Sequence, residues 1–160
     1  MWLVHKLIHL FKKLKHWLMG NYPLSKYHFI VDWGGQQIGV SEISGLAMEY
    51  AVVEHRTGAD KLQSVIKIPG LQKFSNLILK RALQADDRDF FNWINTIQMN
   101  TVERRDIVIS LLNASHEPIV SWRVRNAWPC KYQVADLNAS SNEVLIETIE
   151  LAHEGFQIVT

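Results

Sequence analysis

Tyr27-His28-Phe29-Ile30-Val31-Asp32-Trp33-Gly34-Gly35-Gln36-Gln37-Ile38-Gly39-Val40 is the stretch where the fold class first becomes legible. Five of its first seven residues are β-branched or aromatic, side chains that suit a pleated, half-buried surface. Gly34-Gly35 then places two residues free to adopt positive φ between that run and a second one over 36–40, the pattern of a β-hairpin with a tight glycine turn. A phosphate-binding loop is the other reading of paired glycines, but neither the Walker spacing nor the dinucleotide pattern follows them.

Working downstream, strand-like segments are expected at 46–54, 65–68, 76–83, 105–112, 119–125, 132–134, 143–151 and 156–159. Turn signals separate them at Pro69-Gly70, Glu117-Pro118, Trp128-Pro129 and residues 138–142. One segment breaks the rhythm. Asp86, Asp87 and Asp89 gather acids where a helix N-terminus favours them, and Phe90, Trp93, Ile94 and Ile97 recur at helical spacing until Asn100. The expected class is mainly β (α+β): two packed antiparallel sheets forming a β-sandwich or small barrel, with one flanking α-helix.

Upstream of the hairpin the period is helical. Leu3, Val4, Leu7, Ile8, Phe11, Leu14 and Leu18 fall on one side of a helical wheel, and His5, Lys6, His9, Lys12, Lys13 and His16 on the other. Gly20 and Asn21 can cap this helix and Pro23 stops its continuation, so residues 1–20 are read as a basic amphipathic extension and 21–160 as a single domain. Lysines interrupt the segment, which therefore lacks the unbroken apolar core of a secretory signal or a membrane span.

The net charge of +1 hides an asymmetry. Residues 1–20 hold four lysines and no acid, leaving 13 bases against 16 acids in the remainder. A mildly acidic body offers no clustered Lys and Arg to grip a phosphate backbone, so direct nucleic-acid binding is not expected. Cys130 is the only cysteine, which excludes an internal disulfide and a cysteine-paired zinc site.

Residues that could carry chemistry have plainer readings. His5 and His9 are four apart, a metal-holding spacing, yet lie on a lysine-rich face without a carboxylate. The Asp86, Asp87 and Asp89 cluster lacks the glycine and terminal glutamate of a calcium loop and suits helix capping. Ser115 and His116 fit a hairpin turn, and His153-Glu154 has no nucleophile in an elbow context. No catalytic residue, cofactor or metal is expected. The polar run from His55 to Ser64 is a connection longer than compact domains usually tolerate, which marks a binding loop or a mobile one.

At this point the sequence resembles a family, the tail-tube proteins of contractile phages and of phage-derived extracellular injection systems. The resemblance spans residues 22–160 and rests on short pieces in order: Tyr22-Pro23-Leu24-Ser25-Lys26-Tyr27, Ser41-Glu42-Ile43-Ser44-Gly45-Leu46, Val53-Glu54-His55-Arg56-Thr57-Gly58 and Lys67-Ile68-Pro69-Gly70. It continues in Val102-Glu103-Arg104-Arg105-Asp106, Arg125-Asn126-Ala127-Trp128-Pro129, Asp136-Leu137-Asn138 and Glu150-Leu151-Ala152-His153-Glu154-Gly155. Each piece is weak alone; their order and spacing are specific.

The resemblance implies a non-enzymatic subunit, six copies of which close into a ring whose inner strands form a continuous barrel around a lumen, with rings stacked into a tube. It implies partners among other tube, baseplate or spike, and sheath proteins, assembly in a bacterial cytoplasm, and a final place in a virion tail or an extracellular injection particle. It also implies inter-subunit contacts through the long loop, placed here at Glu54, His55, Arg56, Thr57, Gly58, Lys61, Lys67, Pro69 and Gly70. A ring-forming carrier resembling the haemolysin-coregulated protein of type VI secretion is the alternative.

Tube subunits of the family begin close to Tyr22, so residues 1–18 are extra, through either a wrongly chosen upstream start or a specialised subunit. A helix of that length is about 27 Å long, and its apolar stripe needs a partner. The expectation is a specialised first ring whose Leu3, Val4, Leu7, Ile8, Phe11, Leu14 and Leu18 dock on baseplate or spike proteins. Contact with a membrane surface is the rival.

Overall fold

The computed structural model describes residues 24–59, 61 and 64–159, so the amphipathic segment 1–20 lies outside the described residues. Strand β1 (Phe29–Trp33) and the short β2 (Gln37–Ile38) form the expected hairpin, with Val31 opposite Ile38. Gly34 and Gly35 both take positive φ, at 88° and 97°, and the Asp32 carboxylate accepts the Gly35 N–H at 2.7 Å. Glycine is required there because two successive positive φ values are what a twist-matched two-residue turn demands.

The chain continues through β3 (Glu42–Ser44), β4 (Met48–His55), β5 (Ile66–Phe74), β6 (Leu77–Ala82), helix α1 (Asp89–Ile94), β7 (Arg105–Leu112), β8 (Pro118–Val134), β9 (Ile146–Ala152) and β10 (Phe156–Val159). All pairings are antiparallel. The organising element is β8. Its first half pairs with β7 on one side and β10 on the other, and its second half pairs with β9. One layer therefore runs β2-β1-β7-β8-β10 and the other β8-β9-β6-β3, joined by a strand that passes from one to the other. Strands that switch sheets at a bend are a known way to build a corner. The bend here sits at Asn126, with φ of 50°, and at the register shift between Pro129 and Lys131.

This corrects the sequence reading in several places. The Trp128-Pro129 signal does not end a strand, and residues 119–125 and 132–134 belong to one 17-residue element. Pro129 has no N–H to give to the ladder, and it is accommodated because it borders a bulge. Pro69-Gly70 likewise lies inside β5, next to the irregularity between Tyr50 and Val52, instead of forming a turn. Among the described residues the sheets do not close, so the barrel alternative falls: β2 and β3 remain edges. The strand expected from residue 143 begins at Ile146, and β3 is an element the periodicity did not reveal.

The helix is shorter than the segment 86–100 suggested. It ends after Ile94 because the Thr96 hydroxyl takes the Trp93 carbonyl at 2.7 Å and because Met99 and Asn100 turn the chain with positive φ. Its buried residues, Phe90 and Trp93, plug the open side between the layers, where Trp33 meets both rings edge-on at 5.6 and 5.1 Å. Val31, Ile107, Ile109 and Val124 line the core from one layer, and Leu77, Leu79, Ile149 and Leu151 from the other.

A charged staple crosses the corner. Arg81 on β6 donates to Glu147 on β9 at 2.5 Å and makes a two-pronged contact with Asp87 at 2.7 and 2.9 Å, while the Tyr132 hydroxyl of β8 donates to Glu147 at 2.9 Å. The guanidinium also lies 4.0 Å above the Phe90 ring. So Asp87, expected to cap the helix, does accept the Asp89 N–H at 3.0 Å and is also paired with Arg81. Burial works against the charge on Arg81 and is outweighed by its bonds to Asp87 and Glu147, which raise its pKa. For Asp87, burial is outweighed by the Asp89 N–H and by Arg81, and the carboxyl is held low.

Candidate assembly interface

Among the described residues, strands β4 and β5 stand apart from both layers and pair only with each other. They continue the β3·β6 pair of the body outward past Gly45 and Ser75, as a two-stranded ribbon. The pairing runs from Met48 opposite Phe74 at its base to His55 opposite Ile66 near its tip. The polar connection expected over His55 to Ser64 is found at residues 56–65, between the end of β4 and the start of β5 at Ile66.

Alternation along β4 puts Met48, Tyr50 and Val52 on one face and Ala51, Val53 and His55 on the other. In a body strand one of these rows would meet a core. Here both are open: Val52 and Ile66 are each 61% exposed and Leu71 81%, and Met48, Tyr50, Val53 and Ile68 are also exposed. A lone two-stranded hairpin is marginal in water, and an uncovered apolar ribbon is an aggregation hazard. Ion pairing within the ribbon does little to offset this. The cross-strand Glu54–Lys67 pair, at 3.8 Å, joins two largely exposed side chains and adds little stability.

The residues singled out from sequence fall together. Glu54 and His55 end β4, Lys67, Pro69 and Gly70 lie in β5, and Arg56, Thr57, Gly58 and Lys61 belong to the tip that joins them. Gly70 has a definite reason: a Cβ there would stand 2.8 Å from the Ala51 carbonyl oxygen, so the bulge closes only around a bare backbone. What the sequence reading missed is the apolar part of the ribbon, Met48, Tyr50, Val52, Val53, Ile66, Ile68 and Leu71, whose alternation looks the same whether a core or a neighbour covers it.

Elsewhere, side chains weighed for chemistry have structural duties. Asn113 accepts the N–H groups of Ser115 and Glu117, which makes the stretch holding His116 a side-chain-closed turn. His153 contacts backbone atoms of Ser75 and Gly155. Burial, then the nearby Glu150 charge, pushes the Cys130 thiol up, away from the reactive thiolate. Among the described residues, no group of three or more His, Cys, Asp or Glu is placed to hold a metal ion. A surface cleft of 490 Å³ borders the charged staple, lined in part by Leu83, Phe91 and Tyr132. Its two carboxylates, Asp87 and Glu147, are both bonded to Arg81.

Comparison with known proteins places this geometry. No curated protein matches the chain. Among solved structures, a chain of the sheath–tube complex of the extracellular contractile injection system PVC, in its extended state, is 32% identical, with a TM-score of 0.82 over 88% of this chain and 94% of that one. A chain of the 6-fold symmetrised baseplate of the anti-feeding prophage is 25% identical, with a TM-score of 0.78 over 87% and 97%. Hcp1 from Flavobacterium johnsoniae, at 14% identity and a TM-score of 0.53 over 82% and 94%, shares the fold alone. The profile of the T4-like virus tail tube protein gp19 family matches residues 25–157, nearly the whole of the described fold, and the chain belongs to that family.

Proposed function

We propose that this protein is a structural subunit of the inner tube of a contractile tail or injection system, in which copies close into a hexameric ring and the rings stack into a conduit. The observation that carries the reading is the β4–β5 ribbon, apolar on both faces and unpaired with the body. Neighbouring copies that cover it would each gain on the order of 1 kcal/mol for every large side chain removed from water. A closed ring covers every such edge at once, leaving none to recruit further chains sideways. Sheath and baseplate proteins are the natural partners, given the assemblies in which the similar chains were solved. The particle is a phage tail or an extracellular injection device. Electron microscopy of the purified protein tests this: rings or tubes of uniform bore are expected, and a protein that stays monomeric at high concentration overturns it.

Within that reading, the subunit belongs to the first, baseplate-proximal ring, with residues 1–18 docking on baseplate or spike proteins. Support comes from the apolar stripe of that segment and from the likeness to a chain of a baseplate structure. Particles lacking residues 1–18 should form rings of normal diameter but fail to start tubes. Normal tubes from the truncated gene would remove the first-ring role, and binding of the 1–20 peptide to anionic vesicles would favour the membrane rival.

A further inference from the structure

The ribbon leaves the body through a hinge, and His153 bridges that hinge with its two ring nitrogens. Two chain segments cross there, residues 45–47 leading into β4 and residues 75–76 leading out of β5. The Ser75 N–H donates to the Ala47 carbonyl at 3.1 Å. His153, from the break between β9 and β10, reaches across with Nε2 2.8 Å from the Ser75 carbonyl oxygen. Its Nδ1 accepts the Gly155 N–H at 3.1 Å. A carbonyl oxygen cannot donate and a backbone N–H cannot accept. Only the neutral ring with its proton on Nε2 satisfies both neighbours at once.

The same imidazole sits within 5.9 Å of the Phe74 ring and 6.3 Å of Phe156, which themselves meet at 5.6 Å. Phe74 is the last residue of the ribbon, so the aromatic cluster and the two hydrogen bonds act on one point. Gly155, at φ of 125°, lets Phe74 in: a Cβ there would lie 3.0 Å from its ring. The charged groups near the clamp have partners of their own. Arg125 of β8 is directed at the Glu154 carbonyl, 3.4 Å away, and adds positive charge beside Gly155. The Glu154 carboxylate is held by Asn126 at 2.6 Å and faces Arg104 at 3.7 Å. On the ribbon side, Asn76 donates to Glu150 at 2.7 Å.

We propose that His153 is a charge-sensitive clamp on the ribbon: neutral, it holds the hinge, and a proton added at Nδ1 sets a donor against the Gly155 N–H and loosens it. The consequence for rings rests on the assembly reading above, since a loosened ribbon is a poorer template for its neighbours.

The test uses the full chain, kept monomeric by Val52→Lys and Ile68→Lys, alongside the unsubstituted protein. In the monomer, nitrogen NMR at pH 8 should show a bare Nδ1 and a protonated Nε2. On acidification the Gly155 amide signal should move as the ring takes its proton. Exchange of β4–β5 amides, corrected for intrinsic rates, should rise about tenfold at pH 5, the loss of roughly one hydrogen bond. In His153→Gln, checked for folding by circular dichroism, the ribbon should exchange alike at both pH values, whereas a His28→Gln control should behave like the parent. A proton on Nδ1 at pH 8, or an acid response that survives His153→Gln, overturns the clamp. Rings of the unsubstituted protein should diminish over the same pH range. If the NMR and exchange results hold but rings form at no pH, the clamp stands and the assembly reading is what fails.

Discussion

Single residues decide whether this body can hold its corner. Gly45 sits at φ of 95° with the Asn76 carbonyl oxygen so close that an added Cβ would stand 1.9 Å from it. Gly45→Ala should therefore cost about 3 kcal/mol or more, read as a lower denaturant midpoint, because both the backbone angle and the contact must change. The staple makes a sharper demand. Removing Glu147 leaves the buried Arg81 with Asp87 alone, so Glu147→Leu should destabilise by about 3 kcal/mol.

The pH signs at this site follow from its two shifted groups. Asp87 is held below its ordinary value, so its contribution is present above the unfolded carboxyl pKa and is lost as the pH falls from about 4 through the lower folded value. Tyr132 is pushed up to about 12 by burial first and by its bond to Glu147 second. Its contribution is complete below the unfolded tyrosine value of about 10 and is lost as the pH rises through 12. Trp93 fluorescence followed across pH should show both limbs, and Tyr132→Phe should remove the phenol's share of the alkaline one.

At the scale of elements, body and ribbon are separable in their chemistry. Core strands such as β6 and β9 alternate buried and part-exposed residues, whereas β4 is exposed along nearly its whole length. Charge placed on the ribbon should thus spare the fold and abolish association. At concentrations where the parent is unassociated, Val52→Lys with Ile68→Lys should keep its thermal midpoint within about 2 °C, as exposed substitutions do, and on concentrating, rings should be missing from the variant's sedimentation profiles. Gly70→Ala tests geometry without charge. Its Cβ meets the Ala51 carbonyl, so the bulge must open and ring yield should fall even though apolar surface has been added.

For the molecule as a whole, the topology leaves edges at β2 and β3 and an apolar ribbon beyond them, the surfaces that other copies would cover in the proposed tube. Association should then raise apparent stability with protein concentration, as any binding to the native state does. A thermal midpoint that climbs on concentrating the parent, but not the Val52→Lys, Ile68→Lys variant, is the expected outcome.

The sequence alone was enough for the β-rich class, the glycine hairpin at Gly34-Gly35, strands β7 and β10 to the residue, the place of the helix and the family, because local alternation, turn chemistry and motif order are written along the chain. The span of β8 and the staple of Arg81, Asp87, Glu147 and Tyr132 were decided only in three dimensions. A proline reads as a stop until a bulge excuses its missing donor, and charges 66 residues apart reveal nothing of their pairing until the sheet sets them side by side. The ribbon shows the same divide most plainly. Alternating apolar residues announce that something will cover them, but only the folded body shows that its own core does not, because the two strands lie beyond both layers.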